Sequence, residues 1–163
     1  MTPAGARAAG VRISRSPEET EAIGAALAPA LTTGDVVVLR GPLGVGKTRL
    51  VAGLARGLGV GRVRSPSFTL VHEHAGRVPL VHVDLYRIDE RDPASLGLEE
   101  ALERGALVVE WGEKLPAWLR DEALEVRIEI LGEAERRLVA DAVRGRGLAL
   151  LEAWRRAVAE SGP

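Results

Sequence analysis

The feature that most constrains the fold is a glycine-rich segment between a buried-strand pattern and a helix pattern. Residues 41–48 read Gly-Pro-Leu-Gly-Val-Gly-Lys-Thr and fit G-x-x-x-x-G-K-[ST] at every fixed place. Four apolar residues, 36–39, precede them, as in a central strand that is covered on both faces. A helix is expected from residue 47 to about 58, where Gly59 ends it. This order predicts an α/β domain with a phosphate-binding loop.

Each residue type in the loop suits phosphate binding. Glycines let successive backbone N–H groups point inward, and the helix that starts there adds the positive end of its dipole. Lys47 is expected to reach the β/γ-phosphates, and the Thr48 hydroxyl is expected to ligate Mg²⁺. The alternatives are an ordinary glycine-rich turn with a solvated lysine and a dinucleotide-binding turn, whose G-x-G-x-x-G pattern is not met. The residues expected to bind the phosphates are Leu43, Gly44, Val45, Gly46, Lys47 and Thr48.

Two carboxylates stand where a triphosphate site needs them. Asp84 and Glu110 each end an apolar strand pattern. The carboxyl ends of neighbouring parallel strands face one crevice, so both side chains are expected beside the phosphate loop. Either could ligate the metal or orient the attacking water, and with Lys47 they form the candidate catalytic set. The alternative is that they are ordinary charges at strand ends.

Other polar residues are weaker candidates. Ser67, in the segment Ser-Pro-Ser-Phe at 65–68, suits a switch that senses the γ-phosphate, although a plain turn is an equal alternative. His72 and His74 alternate on a predicted strand without a third metal ligand at suitable spacing, which favours a solvated strand face. His82 is expected to orient Asp84, which lies on the same strand.

Composition excludes several classes of protein. The 163 residues predict one domain over 1–163, with 1–10 as a loose leader. Lys+Arg 22 against Asp+Glu 23 argues against a protein that coats nucleic acid, and Cys 0 excludes disulfides and thiolate sites. The chain has no Asn, so the Asn-Lys-x-Asp element that reads guanine is absent and ATP is favoured over GTP. No apolar run is long enough for a signal peptide or a membrane span, which predicts a cytoplasmic protein.

Periodicity and turn residues predict the remaining elements. Ser16, Pro17 and Glu19 supply a cap, a first helical residue and a capping box for a helix that runs to about residue 31. Further helices are expected at 94–103 and 148–159, and strands at 11–14, 69–73, 80–85, 106–110, 124–130 and 137–143. Together these elements predict a three-layer, P-loop NTPase-like α/β fold with a mixed, mainly parallel central sheet.

Four segments, at 41–48, 65–68, 82–87 and 110–111, together resemble the bacterial TsaE (YjeE) family. The family comprises small ATPases of tRNA threonylcarbamoyladenosine (t6A) biosynthesis. The resemblance spans about residues 16–143. The phosphate loop is generic, whereas His-x-Asp-Leu-Tyr-Arg and Glu-Trp are specific to the family.

The resemblance implies roles for particular residues. ATP would bind at the phosphate loop with Mg²⁺ on Thr48 and Glu110, and Asp84 would be the Walker-B-like carboxylate and a further candidate metal ligand. Trp111 would lie beside the site. Three other residues match positions around the nucleotide in the family: Glu18, Thr20 and Arg136. The chain departs from the family at Ser67, where Thr is usual, and at Gly112, where Pro or Ser often follows the Trp.

The resemblance also implies partners. Family members have weak ATPase activity alone and act with the proteins TsaD and TsaB, so tRNA contact would be indirect, and neither DNA nor a membrane is expected. The expected mechanism is nucleotide-driven docking on, and resetting of, that complex. Two alternatives remain, a P-loop kinase of a small metabolite or nucleoside and a nucleotide-gated adaptor without significant hydrolysis.

Overall fold

Seven strands form one sheet in the computed structural model, which describes residues 8–42, 44–61, 71–85 and 97–160. The strands are β1 Ala8–Ser14, β2 Val36–Arg40, β3 Val71–His74, β4 Leu80–Asp84, β5 Ala106–Glu110, β6 Leu124–Ile130 and β7 Arg136–Ala142. The helices are α1 Pro17–Leu27, α2 Lys47–Gly57, α3 Leu98–Arg104, α4 Ala117–Arg120 and α5 Arg146–Glu160, and 3₁₀ turns span Ala28–Ala30 and Gly112–Lys114.

The sheet is mixed, with a parallel centre. Its strand order is β1-β7-β6-β2-β5-β4-β3. The four adjacent strands β6, β2, β5 and β4 are parallel to one another. On one side of them, β7 pairs antiparallel with β6 and β1 pairs antiparallel with β7. On the other side, β3 pairs antiparallel with β4. The expected mixed, mainly parallel sheet is confirmed, and β2, which leads into the phosphate loop, lies at its centre.

Helices cover both faces of the central strands and give the expected three layers. On one face, α1, α2 and α5 pack over side chains that include Val37, Leu39 and Val108. On the other, α3, α4 and the turn at 112–114 pack near Val38 and Val109. The alternation of apolar residues in β2 and β5 between these two cores explains why both strands read as continuous apolar runs.

The start of the sheet differs from the expected leader. β1 begins at Ala8, so residues 8–10 belong to the sheet, while residues 1–7 lie outside the described part of the chain. β1 pairs along its whole length with β7, and Gly10 lies against Trp154 of α5. Residues 8–10 are small and show no apolar–polar alternation, so their place in β1 depends on pairing with β7.

The two ends of α1 each differ in one respect from the sequence prediction. Ser16 Oγ accepts a hydrogen bond from the Glu19 N–H at 3.1 Å, as a cap should, but the Glu19 carboxylate accepts from the Arg15 N–H. α1 ends at Leu27, and a 3₁₀ turn containing Pro29 follows, because proline cannot donate the next helical hydrogen bond. The four-residue α4 was not predicted, since one turn is too short to show periodicity.

No helix in the described ranges has the length and apolar content that crossing a bilayer would require.

Candidate functional site

The glycine-rich loop has a backbone conformation that glycine adopts readily. Gly41, Gly44 and Gly46 all have positive φ angles, of 151°, 76° and 115°, which L side chains rarely adopt. Gly46 immediately precedes α2 and brings no capping side chain to its first turn. The N–H groups at the start of α2 therefore suit an anion as their partner. Leu43 lies outside the described residues.

Lys47, the first residue of α2, is buried beside the loop. Lys47 is only 4% exposed. Its Nζ donates to the Gly41 carbonyl at 2.8 Å and lies 4.0 Å from the centroid of the Trp111 ring. Burial lowers the pKa of Lys47, and attraction to Glu110 and Asp84 partly opposes that shift. A desolvated cation of this kind gains electrostatic stabilisation when an anionic ligand arrives.

The two carboxylates face the loop from neighbouring strands. Asp84 and Glu110 are register partners at the carboxyl ends of β4 and β5, as expected for parallel neighbours. Glu110 is 5% exposed, and Asp84 is half-buried. Both carboxylates lie close enough to attract the Lys47 ammonium, so two acidic groups and one basic group surround one cavity.

His82 contacts Glu110 and not the predicted partner, Asp84. Its Nε2 lies 2.6 Å from Glu110 Oε2, and His82 is completely buried. In the register of β4 and β5, His82 pairs with Val108, so Glu110 is its diagonal neighbour on the same face. The prediction was wrong because partners across strands depend on register, which one strand by itself does not reveal.

One cavity joins all of the predicted catalytic and metal-binding residues. It has a volume of about 350 Å³. Thr48 and Trp111 lie in its wall together with Lys47, Asp84 and Glu110. Gly44, Gly46 and Arg49 complete the lining.

A second cavity, of about 290 Å³, shares the loop residues Gly44 and Gly46 with the first and opens between α1 and the β6–β7 turn. Thr20 and Arg136 are in its wall, whereas the exposed Glu18 is not among its lining residues. Four further lining residues were not predicted from the sequence to lie at the site, and they come from a helix start and a hairpin turn: Ser16, Pro17, Glu133 and Ala134.

Arg136 ties the walls of this second cavity together. Its Nε donates to the Val45 carbonyl at 3.0 Å, and its Nη1 donates to the Gly132 carbonyl at 2.8 Å. Thr20 is fixed on the other side, where its hydroxyl lies 2.7 Å from the buried hydroxyl of Ser14. Arg136 therefore attaches the phosphate loop to the β6–β7 turn, and Thr20 attaches the first turn of α1 to the end of β1.

The turn after β5 fixes Trp111 beside Lys47. Trp111 has φ of 61°, the one positive φ among non-glycine residues in the described ranges. Gly112 packs so closely on β2 that a Cβ there would lie 2.1 Å from Val38 Cγ1. Lys114 Nζ donates to the Leu85 carbonyl at 2.9 Å. Glycine at 112 thus lets the turn pack directly against the sheet.

His72 and His74 are less exposed than expected. Their rings stack with centroids 4.5 Å apart, and His74 is buried while His72 is half-buried. Burial lowers the pKa of His74, and the nearby His72 and His82 add to that shift. The prediction of a solvated face was wrong for His74, which lies on the inner face of β3.

The donor set fits a magnesium nucleotide. Within the described residues, no three His, Cys, Asp or Glu side chains come together to hold a metal ion by themselves. The cavity instead offers hard oxygen donors on Thr48, Asp84 and Glu110 next to a phosphate-binding loop. Mg²⁺ is typically bound in this way, by one or two carboxylates together with phosphates and water. Ser67 lies outside the described residues, so its role stays a prediction.

Comparisons with known proteins all point to one family. The family model described as "Threonylcarbamoyl adenosine biosynthesis protein TsaE" matches residues 14–138. The tRNA threonylcarbamoyladenosine biosynthesis protein TsaE of Bacillus subtilis (strain 168) is 40% identical over 134 residues, 80% of this chain and 84% of that protein. Its counterpart from Mycobacterium tuberculosis (strain ATCC 25618 / H37Rv) is 41% identical over 133 residues, 74% and 79% of the two chains. The crystal structure of YdiB from Bacillus subtilis matches with a TM-score of 0.79 and 35% identity, covering 93% of this chain and 97% of that one.

Proposed function

Because this chain belongs to the TsaE family, we propose that it is a Mg²⁺-dependent ATP-binding and ATP-hydrolysing accessory protein of t6A formation on tRNA, acting in the cytoplasm. The observation that carries the proposal is the single cavity in which Lys47 and Thr48 of the phosphate loop meet Asp84 and Glu110. Phosphate, metal and water-orienting groups are all needed for triphosphate hydrolysis, and this cavity gathers candidates for each.

The residues divide the work of nucleotide binding. The N–H groups of the loop and of the start of α2 would hold the phosphates, and Lys47 would exchange its bond to the Gly41 carbonyl for phosphate oxygens. Thr48 and Glu110, with Asp84 as a further candidate, would hold Mg²⁺. When bound, Mg²⁺ supplies positive charge that offsets the charge on the transferring phosphoryl group. The cavity lined by Thr20 and Arg136 would accommodate a further part of the nucleotide.

Hydrolysis needs an oriented water molecule. Asp84 and Glu110 are the carboxylates able to accept a hydrogen bond from such a water, and they lie side by side at the strand ends. With no Gln in the chain, the arrangement in which a glutamine orients the water is excluded. The weak ATPase activity that we propose for the isolated protein would depend on one of these two carboxylates.

We further propose that the protein acts on TsaD- and TsaB-like partners, with tRNA contacted indirectly and neither DNA nor a membrane involved. The near-neutral charge, -1, gives no general attraction for a polyanion and so favours protein partners. Binding or hydrolysis of ATP would change the affinity for those partners.

The test compares steady-state ATP hydrolysis by the chain alone and with TsaB and TsaD, and measures the t6A formed per TsaD. Stimulated hydrolysis and a higher yield of t6A are expected, and the Lys47→Ala variant should show neither. No stimulation together with an unchanged yield would contradict the proposal. Phosphate transfer to a metabolite faster than hydrolysis would instead indicate a kinase.

A further inference from the structure

A buried hydrogen bond connects β4 to the carboxylate at the end of β5. His82 Nε2 and Glu110 Oε2 are 2.6 Å apart, and the two residues are 0% and 5% exposed. A contact this short, away from water, fixes the rotamers of both side chains. Glu110 also lines the cavity shared by Lys47 and Thr48, so this contact acts on a group within the proposed site.

The surroundings of the imidazole indicate which ring nitrogen of His82 carries the hydrogen. An ionised carboxylate only accepts hydrogen bonds, so the Nε2 of His82 must carry the hydrogen. The other ring nitrogen, Nδ1, is buried and has no hydrogen-bond partner within the described residues. A hydrogen on Nδ1 would have no acceptor there. The geometry therefore fits the tautomer that carries its hydrogen on Nε2.

Glu110 has a competing partner in Lys47. The two opposite charges attract each other around the same cavity, and a glutamate has enough rotatable bonds to change its direction. The recorded acceptor for Lys47 Nζ is the Gly41 carbonyl, while Glu110 is bonded to His82. The ammonium of Lys47 and the carboxylate of Glu110 thus have different hydrogen-bond partners, although they line the same cavity.

We propose that His82 is a positioning residue, whose Nε2–H holds Glu110 Oε2 so that the other oxygen of Glu110 is directed to bind Mg²⁺. The inference rests on the proposed function and adds to it a residue that touches neither metal nor nucleotide. Carboxylates that ligate metals are commonly oriented by such hydrogen bonds, and removing the donor typically weakens metal affinity by about 10–100-fold.

Two substitutions of equal length separate the hydrogen bond from the bulk of the side chain. His82→Gln places an amide N–H at the position of Nε2, three bonds from Cβ, whereas His82→Met fills the same space without a donor. His72→Met is the matched control, because His72 is the register partner of His82 on β3. ATP affinity is measured by isothermal titration calorimetry in Mg²⁺ and in EDTA for each protein.

The ratio of the two affinities reports metal binding, and the value in EDTA reports whether the phosphate loop is intact. His82→Met should reduce the ratio by about tenfold or more. His82→Gln should keep the ratio within about threefold of the wild-type value. His72→Met should match the wild type, and all four proteins should bind metal-free ATP equally.

An unchanged ratio in His82→Met, or an equal loss in the Gln and Met variants, would overturn the positioning role while leaving the proposed function standing. Wild-type protein that does not bind ATP, or binds it without regard to Mg²⁺, would overturn the proposed function and this inference with it.

A measurement on unaltered protein keeps the proposal testable if His82→Met does not fold. Nitrogen-15 NMR of the three histidines, with His82 assigned by its loss in His82→Gln, distinguishes the two neutral tautomers. The Nε2–H form is expected for His82. The Nδ1–H form, which has no hydrogen to donate to Glu110, would contradict the proposal.

Discussion

Lys47 is a lysine in a chain whose basic residues are nearly all arginine. Of the 22 basic residues, only Lys47 and Lys114 are lysines. An ammonium on a flexible stem is a compact charge that can move from the Gly41 carbonyl to a phosphate oxygen, whereas a planar guanidinium has a fixed shape. The lysine therefore stands where its chemistry is required.

Substituting Lys47 with alanine should weaken ATP binding by roughly tenfold or more, about 1.5–3 kcal/mol for a charge-assisted contact. Titration calorimetry measures the change, with a thermal melt to confirm that the variant is folded. Arg104→Ala, a matched loss of one positive charge at an exposed residue of α3, should bind ATP normally. Unchanged affinity in Lys47→Ala would refute the assignment of the phosphate loop.

The buried His74 should make the protein sensitive to acid. Burial and the nearby His72 and His82 lower the pKa of His74 in the folded state, so between that lowered pKa and the ordinary value of 6.5 the unfolded chain binds more protons. The contribution of His74 to the stability of the folded state is therefore fully present above pH 6.5 and is lost as the pH falls through the lowered pKa. His74→Phe keeps a ring against His72 but cannot titrate.

Urea unfolding at about pH 7.5 and about pH 5.5 tests this dependence. The wild-type protein should lose more free energy of unfolding over that interval than His74→Phe does. Equal losses in the two proteins would show that His74 does not contribute to the acid sensitivity.

At the scale of elements, α1 and α2 pack so closely that their backbones nearly touch. This packing places the phosphate loop, which precedes α2, next to the start of α1 at Ser16. An ideal Cβ on Gly53 of α2 would lie 2.0 Å from the Glu21 carbonyl oxygen of α1. An ideal Cβ on Gly24 of α1 would lie 2.5 Å from the Leu50 carbonyl oxygen of α2. The glycines bring the two backbones together, and α2 can then carry Lys47 while α1 provides Thr20.

Gly53→Ala should destabilise the protein by about 1–3 kcal/mol, because a backbone atom blocks the new methyl group. The gain of about 1 kcal/mol from better helix propensity is smaller than this overpacking. Gly61→Ala, where a Cβ would meet nothing within 4 Å, is the control and should change little. Chemical denaturation measures both, and a stabilised Gly53→Ala would mean that the helices can move apart freely.

At the scale of the whole molecule, β2 connects the candidate site to a distant ion pair. The phosphate loop follows the carboxyl end of β2, whereas the buried Asp35 immediately precedes its other end. Arg146, at the start of α5, holds both carboxylate oxygens of Asp35 at 2.8 Å, and the Thr32 N–H adds a bond of 2.9 Å. The cluster attaches the last helix to the central strand.

Arg146→Met should lower the free energy of unfolding by about 2–3 kcal/mol, because a buried carboxylate loses two charge-assisted bonds and only partly keeps its others. ATP affinity should not change, because the cluster is at the opposite end of β2 from the loop. Urea unfolding and calorimetry measure the two quantities. Weakened ATP binding at a temperature where the variant is folded would contradict this separation.

The sequence by itself determined what depends on neighbours along the chain. The strands at 106–110 and 124–130 have the predicted bounds, and α2 begins at the predicted Lys47. The loop glycines have positive φ angles, which suit the predicted turn, because tolerance of positive φ is a property of the single residue glycine. Position at the end of an apolar strand was also enough to bring Asp84 and Glu110 together, since parallel strands end at the same edge.

Only the tertiary structure decided which groups touch. The bond from His82 to Glu110, the wall shared by Thr20 and Arg136, and the packing of Gly112 on Val38 all join residues that are distant in the chain. The same holds for β1, whose start at Ala8 depends on β7. These contacts are set by strand order and register, which arise from the packing of the whole core and leave no periodic trace in the local sequence.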